Sequence, residues 1–323
     1  MIHQVPYIYF DGPEAELKYI DHKNKLYPTV DPTVFRERQD LIEPGLKNNI
    51  EIDVVVNTKW HNAYFHYLEV ILCIWAVQQE FNPSLNIKNI YIGNNYSGDS
   101  AQRFQSVILN ALFPEANFVT ECSTPERAFI YIDRHLRYDK NVMLHSVFDM
   151  ARRHSTSFKK RVQSALNIVP RIKGDRSLNI IYATRLNVKQ RILAPQVEQI
   201  LLEVAQSYGS VMPIDFGRLH IKDQIRISQQ ADIIIGGQGS NMANLIWLPD
   251  WGSALELRLP DTQVYDMQSM AEIFNIDYLG LMGNEIIPSH YYKAGERGDN
   301  TRHFEEINEG LLRRCFNILT GRK

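Results

Sequence analysis

Residues 231–250 read ADIIIGGQGSNMANLIWLPD. A short apolar run bounded by glycine has the length of a buried strand, and the apolar segment that follows Ser240 and stops at Pro249 reads as a helix. Between them, Gly236, Gly237 and Gly239 make the turn. Glycine at such a junction lets a backbone approach a phosphate or simply permits tight packing, and the stretch taken alone fits either. It is neither G-x-G-x-x-G nor a loop ending in G-K-S/T, so it matches neither the dinucleotide fingerprint nor a Walker A loop.

Strand and helix patterns alternate around this stretch. Upstream, LNIIYATR, APQVEQILLEVAQSYG, SVMPIDF and IKDQIRISQQA read as strand, helix, strand and helix; downstream, SALELRL, VYDMQSMAEIFN and IDYLGL read as strand, helix and final strand. An earlier series runs through EIDVVVN, AYFHYLEVILCIWAVQQEF, IKNIYIGNN, SAQRFQSVILNALFP, RAFIYID and the helical SVFDMARRHSTSFKKRVQSALNIV. Such alternation predicts parallel sheets covered on both faces. PRIKGDRS, rich in turn formers and charge, separates the two series. The expected class is therefore α/β, with two Rossmann-like doubly wound domains facing a central cleft and ligands at the carboxyl ends of the strands. The domains are placed at residues 1–172, with an irregular N-terminal extension, and 173–300. A C-terminal helix over residues 301–323, carrying Phe304, Ile307, Leu311, Leu312 and Phe316 on one side, is expected to pack back on the first domain.

Bulk properties narrow the function. The 323 residues suffice for two domains, and 35 Lys plus Arg against 37 Asp plus Glu leave a net charge of -2. That balance disfavours a partner bound through a large basic surface, so no nucleic acid is expected. Three cysteines, Cys73, Cys122 and Cys315, lie too far apart for a CxxC site and give no disulfide framework. The N-terminus has no signal-peptide pattern, and no apolar run reaches the roughly 18 residues of a membrane span. A cytoplasmic chain is expected, with no transmembrane segment and room only for peripheral membrane contact; a luminal chain trimmed of its anchor would read the same.

Three groups of residues could carry chemistry. Arg185 follows a buried strand, with Lys189 and Arg191 close behind; such cations would pair with a diphosphate, or form an ordinary solvated loop. His66 and Glu69 share one face of an apolar helix, as a general base would, or as a core histidine beside an acid favoured near a helix start; His61 and Asn62 are the candidate cap. Glu256 is a lone acid in an apolar strand, suited to a ribose or to a sheet edge. The basic group Arg152, Arg153, Lys159, Lys160 and Arg161 reads as a solvated helix face, or as a surface for an anionic acceptor. D-x-D, H-x-x-x-H, HExxH and G-x-S-x-G do not occur, which removes most of the weight from metallohydrolase and α/β-hydrolase chemistry.

The order Ala231, Gly236, Gly239, Asn244, Pro249, Glu256, Leu257 resembles the corresponding run of glycosyltransferase family 61, the group that includes the domain of unknown function once numbered 563 and many capsule-type enzymes. TRLNVKQR is similar to the family's S-R and following Arg, with Thr184 for the Ser and with Arg185 and Arg191 in place. Asn62, His66 and Glu69 echo a family helix. The resemblance spans Glu51 to Leu281. It departs at Gln238, where the family carries His and where glutamine cannot titrate, and in the first helix, where the His-to-acid spacing is one shorter. The resemblance implies a GT-B fold and an inverting, metal-independent transfer of a sugar from a nucleotide donor, UDP being the common one. No cofactor is implied, since the nucleotide-sugar is a substrate; the acceptor would be a glycan or glycolipid. Arg185, Lys189 and Arg191 would neutralise the diphosphate. Gly237, Gln238, Gly239, Ser240 and Asn244 would receive it or the ribose, Glu256 would bind ribose, and Glu69 or His66 would be the base. The alternatives are a catalytically inactive nucleotide-sugar or glycan binding module of the same fold, with Gln238 as its mark, and a nucleotide-dependent oxidoreductase, which the absent fingerprint disfavours.

Overall fold

The computed structural model describes residues 7–11, 17–20, 25–28, 51–57, 64–92, 99–119, 129–133, 145–174, 177–185, 192–259, 266–288 and 304–321. The chain divides into two compact units, Met1–Leu166 and Asn167–Lys323. The division falls a few residues before the expected 172/173, where a helix ending at Ala165 gives way to a turn in which Asn167 has a φ of 54°.

The first unit carries β1 (Tyr7–Asp11), the antiparallel pair β2 (Leu17–Ile20) and β3 (Lys25–Pro28), β4 (Glu51–Asn57), α1 (Tyr64–Phe81), β5 (Asn86–Ile92), α2 (Asp99–Leu112), β6 (Asn117–Val119), β7 (Phe129–Asp133) and α3 (His145–Ala165). Its main sheet has the order β1-β7-β4-β5-β6 and is parallel except for β1, which runs antiparallel to β7. The chain steps outward from β4 through β5 to β6 and then crosses back for β7, so the winding reverses between β4 and β7. α1 is apolar almost all round, with Leu68, Val70, Ile71, Leu72, Cys73 and Ile74 buried. It can be so because α3 packs along it, one visible tie being Trp75 Nε1 donating to Ser157 Oγ at 3.0 Å.

The second unit carries β8 (Leu178–Ala183), α4 (Pro195–Gln206), β9 (Gly209–Ile214), α5 (Ile221–Ser228), β10 (Ile233–Gly237), β11 (Ser253–Arg258), α6 (Asp266–Ile273), β12 (Asp277–Met282), β13 (Glu285–Pro288) and α7 (Glu309–Thr320), with short 3-10 helices at Phe216–Arg218 and Ser240–Trp247. The sheet order is β13-β12-β11-β10-β8-β9, parallel save for β13. Here the winding reverses between β8 and β10. Every residue of β10 is buried, the signature of a strand covered on both faces. Ile233, Ile235, Leu255 and Leu257 meet Val197 and Leu201 of α4 and Leu312 and Phe316 of α7 on one face. On the other lies the 3-10 helix: a Cβ on Gly236 would come within 3.0 Å of Met242 Sδ.

Several expectations are corrected. The C-terminal helix, expected against the first domain, contributes to the core of the second, with Tyr208 stacked on Phe316 at 4.8 Å and the Tyr208 hydroxyl donating to Arg313 O at 3.0 Å. The helix starts only at Glu309, where Asn308 Oδ1 caps Leu311 N at 3.1 Å. Phe304 therefore lies outside it and bridges Leu193 in extended backbone. IDYLGL is not the last strand, since the turn through Gly283, at φ 56°, returns the chain as β13.

Candidate functional site

By topology, the ligand position of a doubly wound sheet is the reversal point, where the carboxyl ends of adjacent strands diverge and leave a crevice. In the second unit this is the edge formed by Ala183 and Gly236, which are paired in register, followed by Thr184 and Arg185 on one side and Gly237 to Ser240 on the other. Two side chains tie these segments together. Arg185 Nη1 donates to Gln238 O at 2.8 Å, and Asn241 Nδ2 donates to Thr184 O at 2.6 Å.

The turn depends on Gly239. Its φ of 156° lies where L side chains are strained, and a Cβ there would meet the Arg185 guanidinium, reaching 2.9 Å from Cζ. The missing side chain is thus the seat of the arginine. Immediately after it, Ser240–Trp247 forms a 3-10 helix rather than an α-helix. Ser240 is exposed and Asn241 partly so, whereas Met242, Ala243, Asn244, Leu245, Ile246 and Trp247 are all buried, and the backbone bonds take the three-residue step, as in Leu248 N to Leu245 O at 3.0 Å.

The other expected donor residues of this unit are placed as follows. Gln238 is buried, with its backbone N donating to Leu257 O at 2.8 Å and its side-chain Oε1 accepting from Leu259 N at 3.4 Å. Its amide thus ties the turn to the end of β11. Asn244 bonds Gln224 Oε1 at 3.0 Å and Asn241 O at 3.2 Å, joining the 3-10 helix to α5. Glu256 is not at a sheet edge: it lies in β11 between Gly236 and Gly280, is buried, and accepts from the Tyr278 hydroxyl at 2.5 Å. A Cβ on Gly280 would meet Arg258 Cδ at 2.8 Å and Tyr278 Oη at 3.3 Å, so those side chains occupy the room that the glycine leaves. Arg258 in turn donates to Gln268 Oε1 at 3.2 Å. Lys189 and Arg191 lie outside the described residues.

Thr184, Asn241 and Tyr278 belong to this region and were not singled out from sequence as site residues. For Asn241 a signal existed in the Ser-Asn that opens the segment after the turn. Thr184 is 6% exposed, and its hydroxyl, wholly enclosed, has no hydrogen-bond partner among the described residues. An enclosed hydroxyl left so costs about 1–3 kcal/mol.

In the first unit, Glu69 is fully buried in the second turn of α1. Burial pushes the Cys73 thiol well up, and the Glu69 charge adds to that push. His66 lies on the same helix, but its side chain is outside the described residues, as are His61 and Asn62. The basic face of α3 is only partly solvated: Arg153 Nη2 pairs with Glu80 Oε1 at 2.6 Å and His154 Nε2 contacts Glu80 Oε2 at 2.7 Å, while Lys159 is buried. Among the described residues, no helix is long and apolar enough to cross a membrane.

Comparison with known proteins bears on both units. The family model described as Glycosyltransferase 61 matches residues 60–255, more than half of the chain. The chain is 24% identical to the EGF domain-specific O-linked N-acetylglucosamine transferase of Canis lupus familiaris over 159 residues, 47% of this chain and 30% of that protein. It is 26% identical to the Rattus norvegicus protein of that name over the same length and shares. For the Drosophila melanogaster protein the figures are 22% over 146 residues, 44% of this chain and 28% of that one. The matched stretch thus spans less than a third of these relatives. Among solved structures, the dodecameric iron-containing heptosyltransferase TibC in complex with ADP-D-beta-D-heptose aligns over 85% of this chain and 77% of its own, at 12% identity and a TM-score of 0.39.

Proposed function

The chain belongs to glycosyltransferase family 61, and on that premise we propose that it transfers a hexosyl or pentosyl group from a nucleotide-linked donor, UDP-linked by preference, to a hydroxyl of a glycan or glycolipid acceptor. The observation that carries this is the glycine turn at the reversal point of the second sheet, cross-tied by Arg185 and Asn241. Its donors are backbone groups at the start of a helical segment, beside an arginine, which is the chemistry a diphosphate asks of a protein.

The proposed reaction is a single in-line displacement with inversion and without a metal. The acceptor oxygen attacks the anomeric carbon, the bond from that carbon to the diphosphate oxygen breaks, and the acceptor proton passes to a base. In a GT-B arrangement the first unit supplies that base, His66 or Glu69, and the second holds the donor. Arg185, Lys189 and Arg191, with the backbone of Gly239 and Ser240, offset the charge that develops on the leaving diphosphate. Arg185 acts here both as a cation and as the clasp of the turn. Glu256, already bonded by Tyr278, supports the loop from below or takes the ribose. The names of the curated relatives make N-acetylglucosamine the first sugar to try.

Gln238 favours a second reading, a binding module that retains the donor site without catalysis, because its side chain cannot titrate and is engaged with Leu259 N. Thermal-shift screening against UDP-, GDP- and CMP-sugars, with NAD and NADP alongside, tests the donor class; a ligand at 100 times its Kd adds about 2.7 kcal/mol. Stabilisation by one sugar nucleotide family is expected, and stabilisation by NAD or NADP alone would sink the proposal. Donor hydrolysis or transfer then separates an enzyme from a binding module.

A further inference from the structure

At the reversal point of the second sheet the Thr184 hydroxyl is enclosed and, among the described residues, meets no hydrogen-bond partner. The backbone of Thr184 is committed on both sides: its N donates to Ile214 O at 2.8 Å, and its O accepts from Asn241 Nδ2. The hydroxyl, although enclosed, has no partner among the described residues. Enclosed orphans also occur at Ser228 Oγ and Gln163 Nε2, so the orphan state is not by itself a site. Thr184 differs from these by position, since it is the residue that continues β8 beyond its carboxyl end, at the point where the winding of the sheet reverses. It immediately precedes Arg185, whose guanidinium is seated on Gly239.

We propose that the Thr184 hydroxyl is a binding group for the diphosphate of a nucleoside diphosphate, donating its proton to a phosphate oxygen. The inference rests on the donor-site assignment above and deepens it. A hydroxyl can donate to an anion without any change of charge, and a neighbouring guanidinium offsets the charge of the same ligand. Because the hydroxyl is enclosed, the ligand must part the groups over it, and the bond then forms out of water, where it is stronger. Serine at this position would preserve the donor; valine, of nearly the same shape, would remove it. The apo protein has no bond there to lose.

Calorimetric titration of UDP into the full chain and into Thr184→Val, Thr184→Ser and Ser228→Ala tests this, together with the melting temperature of each in the absence of nucleotide. The expected result is UDP binding weakened about tenfold in Thr184→Val, equal to about 1.4 kcal/mol. Thr184→Ser should stay within about twofold of the parent, Ser228→Ala should be unchanged, and apo Thr184→Val should melt no lower than the parent. Equal UDP affinity in Thr184→Val and the parent overturns the inference and leaves the donor-site assignment standing. A lower apo melting temperature in Thr184→Val overturns it too, since the hydroxyl would then already serve an internal partner. If the parent chain binds neither UDP nor GDP this inference falls, and if it does not bind CMP either, the donor-site assignment falls with it.

Discussion

In the second unit the polar groups around the sheet's reversal point bond one another: Arg185 holds Gln238 O, Asn241 holds Thr184 O, and Tyr278 holds Glu256. In the first unit the acid of interest is not at a strand end at all but inside the most apolar helix, at Glu69, one turn before Cys73. Two sheets wound by the same rule therefore offer function in different forms. The second presents a backbone shape that side chains hold in place, whereas the first presents a carboxyl, Glu69, kept from water. A change of shape should harm the second unit most, and a change of charge the first.

Gly239→Ala should have the largest effect, because it combines a forbidden backbone with a collision at Arg185. We expect about 3 kcal/mol of lost stability in urea denaturation, together with lost nucleotide binding. A variant as stable as the parent would remove shape as the distinguishing property of this unit. In the first unit, Glu69→Gln keeps the volume and removes the charge. If Glu69 is the base or sets the state of the base, transfer should fall about 100-fold, or about 2.7 kcal/mol, with the melting temperature little changed. If Glu69→Gln and, separately, His66→Ala both retain near-parental transfer, the base does not come from α1.

Asp232 tests whether the second unit depends on its polar ties away from the turn as well. Its carboxylate accepts from Asn179 N at 2.8 Å, Arg171 Nη1 at 3.1 Å and Trp251 Nε1 at 3.2 Å. Asp232→Ala should cost about 2 kcal/mol in urea denaturation, since three donors lose one acceptor. A loss below ~0.5 kcal/mol would mean that solvent replaces it freely. The smallest effect belongs to Glu80 in the first unit. The hydrogen bond from Arg153, with a lesser one from His154, holds its carboxyl below the usual range despite some opposing desolvation. A lowered folded-state value means that this stability is full above the unfolded pKa of about 4.3 and disappears as the pH falls through the folded value. For a pair this exposed it is at most about 1 kcal/mol. Urea midpoints of the parent and Glu80→Gln should thus differ at pH 7 and converge in acid; a gap that persists in acid would show a packing effect instead.

The alternation of strands and helices was legible because DIIIGG, EIDVVVN and LNIIYATR are short apolar runs with glycine, polar or charged residues at their ends. β6 was not, because three residues, Asn117–Val119, are too few to show a period. The 3-10 character of Ser240–Trp247 escaped because a run buried from Met242 to Trp247 shows the same local pattern as a buried α-helix. α7 shows the limit of amphipathic reasoning: Leu312 and Phe316 announced an apolar face, but an apolar face does not say which sheet will cover it. At the candidate site, the glycine turn and Arg185 were legible as residue types. Their mutual fit was not, because it depends on a guanidinium lying where residue 239 would otherwise have a Cβ. Gln238 was read as facing a ligand, whereas its amide is turned onto Leu259 N.

The two outer strands of the second sheet, β9 and β13, each contain a proline, Pro213 and Pro288. Proline has no amide proton to offer a passing strand, so each rim lacks one rung of the ladder on which another chain could be laid. A sheet with this much isoleucine and leucine at its centre would otherwise carry two templates for fibre growth.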